Sequence, residues 1–292
     1  LDHRTAVGVK AQHTGPASQE LETFRAPVVI SDGGVFNTYL KLLPASLLLS
    51  ERSAIEAFPK GTSTETLFLG LKESPVKLGF QGENHWLFAS YDHNAMAHRP
   101  PMDSAATVDS VFVSFPSLKD PSAKGHTAEI SAIFSYDAVA QWRDQPWHHR
   151  GADYDHFKAQ RAQALLAFVE RFYPGFSALV AYSELSTPLT IEHFDASDRG
   201  TIYGIPCVPE RLTVSWARAE TPINNLYLTG ADVISPGIVG ALMGGVITAG
   251  RLIGPFGFFR LMAATKKAAQ AHAAAVAPPD RSRSNRRSKG PP

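Results

Sequence analysis

With 292 residues, 44% hydrophobic and 19% charged, the chain has enough apolar material for one large core or two ordinary ones. A single cysteine, Cys207, excludes an internal disulfide and argues against a thiolate metal site; nothing around it marks a nucleophile, so it reads as an inert core residue. The net charge of +1 comes from the C-terminal end, where Arg281, Arg283, Arg286, Arg287 and Lys289 oppose only Asp280; the rest is net negative, which excludes nucleic-acid binding by the folded body on charge.

In chain order, RTAVGVKAQ (4–12) alternates as a strand does, and HTGPASQE after it has the composition of a turn. Pro27–Ile30 is a short apolar run, predicted as a strand buried on both faces. It ends in Ser31-Asp32-Gly33-Gly34, small residues that let a ligand approach the backbone. VFNTYLKLLP predicts a short helix closed by Pro44. Five segments follow, ETLFLGLKES, VKLGF, NHWLFASY, TVDSVFVSFPS and TAEISAIFSY, separated by Pro, Gly and Asp turns. Without intervening helices they predict strands of an antiparallel sheet.

Within DYDHFKAQRAQALLAFVERFYPGF, the residues Tyr154, Phe157, Arg161, Leu165, Phe168 and Phe172 recur at helical spacing, and Pro174-Gly175 supplies the stop. That face is expected to cover the sheet. LVAYSELSTPLTIEHF adds a further strand and leads to NNLYLTGADVISPGIVGALMGGVITAG (224–250). There, strand Leu226–Thr229 delivers Gly230 to a sheet edge, and Asp232 is placed to accept hydrogen bonds from sugar or ribityl hydroxyls. Pro236-Gly237 turns sharply, and a helix from near Ile238 aims free N–H groups and roughly half a positive charge outward. Gly240, Gly244 and Gly245 thin one side of it.

Asp232, Pro236 and Arg251 bound the apolar stretch below the ~20 residues of a membrane span, so a buried helix is expected. In RLIGPFGFFRLM (251–262), Phe256, Phe258, Phe259, Leu261 and Met262 lie between Arg251 and Arg260. Two readings stand: a membrane-surface contact or a buried C-terminal segment. His85, His93 and His98 lack helical ligand spacing and His148-His149 are consecutive, so no metal site is expected. There is no G-x-S-x-G elbow and no P-loop, which removes the commonest hydrolase and nucleoside-triphosphate readings.

Residues 224–250 resemble the C-terminal flavin-binding motif of the phytoene dehydrogenase and retinol saturase family of FAD-dependent oxidoreductases. APVVISDGGVFNTYLKLLP is similar to that family's mid-chain return strand and following helix. SFPSLKDP, YPGF, ELSTPLTIEHF and RGTIYGI resemble its substrate domain and the approach to its last flavin strand. Order and spacing fit over residues 1–262, and the TGAD form, with Asp232, is closer to the saturase-like branch. The implied fold is α/β, of mixed α+β character. The closing part of a Rossmann-like FAD-binding domain would use residues 1–43 and 212–268. An antiparallel-sheet-plus-helix substrate domain would be inserted over 44–211, with a disordered basic tail over 269–292.

The N-terminal Gly-rich βαβ unit of the family is absent: no G-x-G-x-x-G lies between strand and helix. The chain therefore reads as the C-terminal half of such an enzyme, needing an N-terminal half for full flavin affinity. The resemblance implies FAD, with NAD(P)H as a candidate electron donor. The implied reaction is hydride transfer on carbon–carbon single or double bonds of an apolar polyene, carotenoid, retinoid or related lipid. Backbone of Gly237, Ile238 and Val239 would face the flavin pyrimidine edge, Asp232 the ribityl or phosphate region, and Gly230 would let the ligand pass. Ser31 and Gly33 would lie near the nucleotide half. Tyr203 and His193 are candidates for the substrate side, against an ordinary buried tyrosine and a structural histidine. No catalytic acid is named. The competing reading is a non-catalytic lipid-binding or partner subunit that completes a flavin site in trans. The expected location is cytoplasmic, with peripheral membrane contact as the variant.

Overall fold

The structure, a computed structural model, describes residues 1–12, 21–47, 49–97 and 107–276. The expected turn over 13–20 and most of the basic tail lie outside these.

The central segment folds as expected into an antiparallel sheet. Strands β4 (Thr64–Leu71), β5 (His85–Phe88), β6 (Ser110–Ser114), β7 (His126–Ile133) and β8 (Val180–Ser186) are arranged in the order β5-β6-β7-β4-β8. On β4 the period of two is clean: Glu65, Leu67, Leu69 and Leu71 point inward and Phe68 outward. Helix α4 (Ala152–Glu170) lies over the inner face and buries Leu165, Phe168 and Val169 among Leu67, Leu69, Val113 and Ile130. Each such side chain contributes roughly 2 kcal/mol by removal from water.

Two sequence expectations are corrected here. Phe172 follows the end of α4 and is 40% exposed, so it is not core. VKLGF is no strand: Pro75–Leu78 forms a 3-10 turn, because Pro75 starts it, the Ser74 hydroxyl accepts from the Val76 amide and Gly79 closes it at φ 88°. Phe80 then anchors the turn in the core. The row of α4 residues also carries a charge. Arg161 and Glu65 are both fully buried and paired, with Nε donating to Oε2 at 3.0 Å and a second, short bond from Nη2 to Oε1.

A second core is built from both ends of the described chain. Val35, Phe36, Tyr39 and Leu43 pack with Ile205, Trp216, Ile223, Leu226, Leu228 and Val233. It is crossed by a parallel pair, β3 (Val29–Ser31) and β9 (Leu226–Leu228), in the register Ile30 to Tyr227. The expected strand is thus displaced to Val29–Ser31 and is not buried on both faces, Ile30 being 51% exposed. Strands β1 (Gly8–Gln12) and β2 (Leu21–Arg25) form a separate antiparallel ribbon. The predicted helix before Pro44 is present, with Asn37–Leu42 wound as a π-helix. Short helices α1 (Arg52–Ala57), α2 (His93–Ala97) and α3 (Pro116–Lys119) fill connections, and α5 (Pro188–Asp195) follows β8. Cys207, expected in the core, is exposed.

Helix α6 (Gly237–Ile253) packs on β9, and α7 (Gly257–Val276) follows at 118° after a break at Gly254. The start of the expected disordered tail, residues 269–276, is therefore helical. Gly250 and Gly257 make the sharp corner possible: a Cβ on Gly257 would sit 2.0 Å from the Gly250 carbonyl oxygen.

Candidate functional site at the ends of the parallel strands

β3 and β9 run parallel, so both chains leave the sheet on the same side, and the space beyond the carboxyl ends of such strands is where ligands commonly sit in open α/β sheets. A cleft of about 600 Å³ opens there. One wall is Asp32, Gly33, Gly34 and Asn37; another is Thr229, Ala231 and Asp232; the third comes from Asp195 to Asp198, after α5.

The walls meet at glycines. A Cβ on Gly230 (φ 84°) would fall 1.9 Å from Asp32 Oδ1, and one on Gly204 (φ 67°) 2.0 Å from Asp232 Oδ1. Gly244 brings α6 down on the turn, since its Cβ would lie 2.2 Å from the Gly230 carbonyl oxygen. Thr248 ties the same helix to the strand, its hydroxyl donating to the Leu228 carbonyl at 2.7 Å.

Asp232 is only 5% exposed and has both oxygens engaged. Oδ2 accepts from the Val35 amide at 2.7 Å and Oδ1 from the Ile205 amide at 2.8 Å. One carboxylate thus braces three segments far apart in sequence. Arg211 completes the brace from beneath: Nη1 donates to the Ile205 carbonyl at 2.6 Å and Nη2, closely, to the Ala231 carbonyl. Burial lowers the guanidinium's affinity for its proton, and the facing Asp232 charge opposes that shift. Composition gave no signal for Arg211, because its bonds are to backbone carbonyls rather than to a paired acid.

The tip of α6 is open. Its N-cap, Pro236, has no side chain able to cap, and beyond its chain neighbours and its own helix no atom of the described residues lies within 4 Å of a Cβ placed on Gly237. Ile238 is 89% and Val239 74% exposed, so the free amides of the first turn face open space. These three residues do not line the cleft itself. Of the other sequence candidates, Gly33 and Asp232 line the cleft and Gly230 stands behind it. The Ser31 hydroxyl is turned inward, bonded to Thr38 Oγ1 at 2.7 Å. Tyr203, next to Gly204, is exposed. His193 is carried away from the cleft, its ring stacked on Trp147 with centroids 5.4 Å apart.

Two cleft residues had no signal in the sequence. Asn37 donates from Nδ2 to the Ala196 carbonyl at 2.8 Å, while its Oδ1 is buried without a partner among the described residues. The Ser197 hydroxyl is likewise buried and unpartnered. Unpaired buried polar atoms beside a cleft are what a polar ligand would satisfy.

No protein-family profile matches the chain. It is 32% identical over 267 residues to the all-trans-retinol 13,14-reductase of Danio rerio, covering 86% of this chain and 43% of that protein. The all-trans-retinol 13,14-reductase of Homo sapiens is 30% identical over 85% of this chain and 42% of its own length. The chloroplastic prolycopene isomerase of Arabidopsis thaliana is 24% identical over 88% of the chain and 40% of its length. Among solved structures, an oxidoreductase from Methanosarcina mazei is 13% identical with a TM-score of 0.45, over 90% of this chain and 47% of that one. The chain spans less than half the length of the curated relatives it matches. Over most of its sequence the chain is thus similar to part of the all-trans-retinol 13,14-reductases and, at lower identity, to part of the prolycopene isomerases.

Proposed function

We propose that the chain supplies the closing walls of a flavin-dependent oxidoreductase acting on carbon–carbon bonds of a retinoid or carotenoid polyene. The observation that carries this reading is the uncapped, open N-terminus of α6, which follows the turn that walls a cleft beyond two parallel strands. The names of the relatives, a retinol reductase and a prolycopene isomerase, supply the substrate class.

The residues fit FAD on three observations. The α6 amides have no capping side chain, Asn37 Oδ1 and Ser197 Oγ are buried without partners, and Gly33 and Gly34 leave one wall without bulk. Gly237, Ile238 and Val239 would present their amides to the pyrimidine edge, where the helix end favours negative charge. Gly33, Asn37 and Ser197 would contact the sugar-phosphate portion. Asp232 would act mainly as a brace, holding Val35 and Ile205 at the spacing the cleft needs. Tyr203 remains the candidate on the substrate side. When bound, FAD supplies the hydride acceptor or donor, with NAD(P)H as the proposed source of electrons.

A core built from the chain's two ends and another in the sheet support a flavin-binding part with a substrate part inserted between, expected at 1–43 and 212–268 against 44–211, although Leu49, Ile55, Phe58 and Ile205 pack with the chain ends. The relatives' additional length leaves room for the Gly-rich phosphate-binding turn that these residues lack. Among the described residues no single helix is long and apolar enough to cross a membrane; α6 and α7 pass together by length and composition only. Exposed Phe256 and Phe259 beside Arg260 support peripheral contact with a membrane, where apolar polyenes reside.

The test joins this chain to the Gly-rich N-terminal segment of a relative and measures retained FAD by equilibrium dialysis. Retention is expected, and Ile238→Asp should weaken it by placing a negative charge at the helix tip. That substitution favours the helix itself, so loss of binding would not report unfolding. A joined protein that retains no FAD, or an Ile238→Asp variant with unchanged affinity, overturns the assignment.

A further inference from the structure

A second cavity, of about 380 Å³, lies across α5 from the cleft: Glu192 and Asp195 face the cleft, Thr190 and Phe194 the cavity. Its sides are aromatic, with Phe68 from the outer face of β4, Tyr182 from the edge strand β8, Trp147 from the connection before α4, and Phe194. At the inner side lies Arg150, 7% exposed.

This guanidinium is poorly satisfied. Its Nε is buried with no partner among the described residues, and Nη2 makes one long bond, 3.5 Å, to the Leu189 carbonyl. Its remaining contact is the ring of Tyr154, 5.4 Å from the guanidinium carbon. Among the described residues no carboxylate pairs with it, whereas Arg161, equally buried, is held in a two-bond grip by Glu65. An arginine cannot relieve its burial by losing the proton, so a buried one without a counter-ion is an anion receptor waiting for a planar, bidentate acceptor.

The neighbouring charges select among anions. Lys158 is committed to Glu184 at 2.7 Å, a carboxylate that Tyr182 also contacts, and this pairing holds Glu184 below the usual carboxylate range. Asp155 lines the same cavity and adds a negative charge. Arg150 and Lys158 together balance Glu184 and Asp155, so the cavity carries no surplus positive charge; Arg150, which has no paired acid, can take a single carboxylate, whereas a doubly charged phosphate is disfavoured. The aromatic walls suit an apolar body.

We infer that Arg150 anchors a binding site for a monocarboxylate with an apolar chain, of which a long-chain fatty acid is the simplest form. The site needs no flavin, and its test does not depend on the oxidoreductase reading. The probe is cis-parinaric acid, a fluorescent polyene fatty acid, compared with the corresponding alcohol on the purified chain. Binding is read by energy transfer from tryptophan and by dialysis.

The acid should bind roughly tenfold more tightly than the alcohol. Arg150→Gln should abolish that preference while alcohol binding persists. Trp147→Phe should remove most of the energy transfer while dialysis still detects bound acid; this localises the probe even where Arg150→Gln fails to fold. Equal binding of acid and alcohol overturns the proposal. So does a preference that survives in a folded Arg150→Gln variant, energy transfer unaffected by Trp147→Phe, or inorganic phosphate displacing the acid at comparable concentration.

Discussion

The sheet region and the region built from the chain's two ends reach order by different means. In the sheet, β4 lies between β7 and β8 and its alternate residues meet a single long helix, so burial is continuous and nearly every inward position is apolar. In the other region the sheet is only β3 and β9, three residues each, and the segments are joined by hydrogen bonds from a few buried polar groups, Asp232 and Arg211 above all. Apolar burial is non-directional, whereas a carboxylate with two amide bonds fixes orientation as well as distance. A cleft that must hold a ligand's polar groups is better bordered by the second kind of construction.

The largest effect expected from breaking this contrast lies, unexpectedly, inside the apolar sheet. Arg161→Met leaves Glu65 as an unpaired buried carboxylate and should cost about 3–5 kcal/mol in denaturant unfolding. Burial already raises the proton affinity of Glu65, opposed by Arg161, so the single variant should lose more stability as pH rises and Glu65 must ionise. The double variant Glu65→Leu/Arg161→Met should recover most of the loss. A double variant no more stable than the single one would show that the pair stabilises beyond the cost of burying it.

Next in size, Asp232→Ala removes an acceptor from two buried amides and should cost about 2–4 kcal/mol. Its signature is regional. Hydrogen exchange should accelerate at the amides of Val35 and Ile205 while those of β4 and β7 keep their protection. Uniform acceleration through both regions would mean that they unfold as one unit and that the contrast drawn above has no energetic counterpart.

The two regions also differ in how far they could be read from sequence. The antiparallel sheet and α4 were legible because burial on one face imprints a period on the residues, as in Glu65 to Leu71 and Tyr154 to Leu165. VKLGF misled because a 3-10 turn and a short strand share the same apolar content, and only Pro75 and Gly79 distinguish them. In the site region the glycines and Asp232 stood out by motif, and the opening after Pro236 was as expected. Asn37, Ser197 and Arg211 did not stand out, since each acts through partners more than a turn away in the fold and has no periodic neighbour. His193 illustrates the converse. It is near the cleft in sequence, yet α5 turns its ring toward Trp147 on the opposite side.

The smallest predicted effect sharpens the sheet side of the comparison. At the end of α4, the Glu170 carboxylate accepts from the amides of Gly175 at 2.5 Å and Ser177 at 2.7 Å, closing the YPGF turn that seats Phe176 in the core. Those amide bonds hold the Glu170 carboxyl below the usual glutamate range. A carboxyl depressed in the folded state stabilises above its unfolded pKa, and that contribution disappears as pH falls through the folded value. Glu170→Gln should therefore cost on the order of 0.5 kcal/mol at neutral pH, small because the group is solvent-screened. The difference from wild type should shrink as pH is lowered through the acid range below the ordinary glutamate pKa. A gap that stays constant there would mean that geometry of the turn, and not the charge of Glu170, is what the substitution removes.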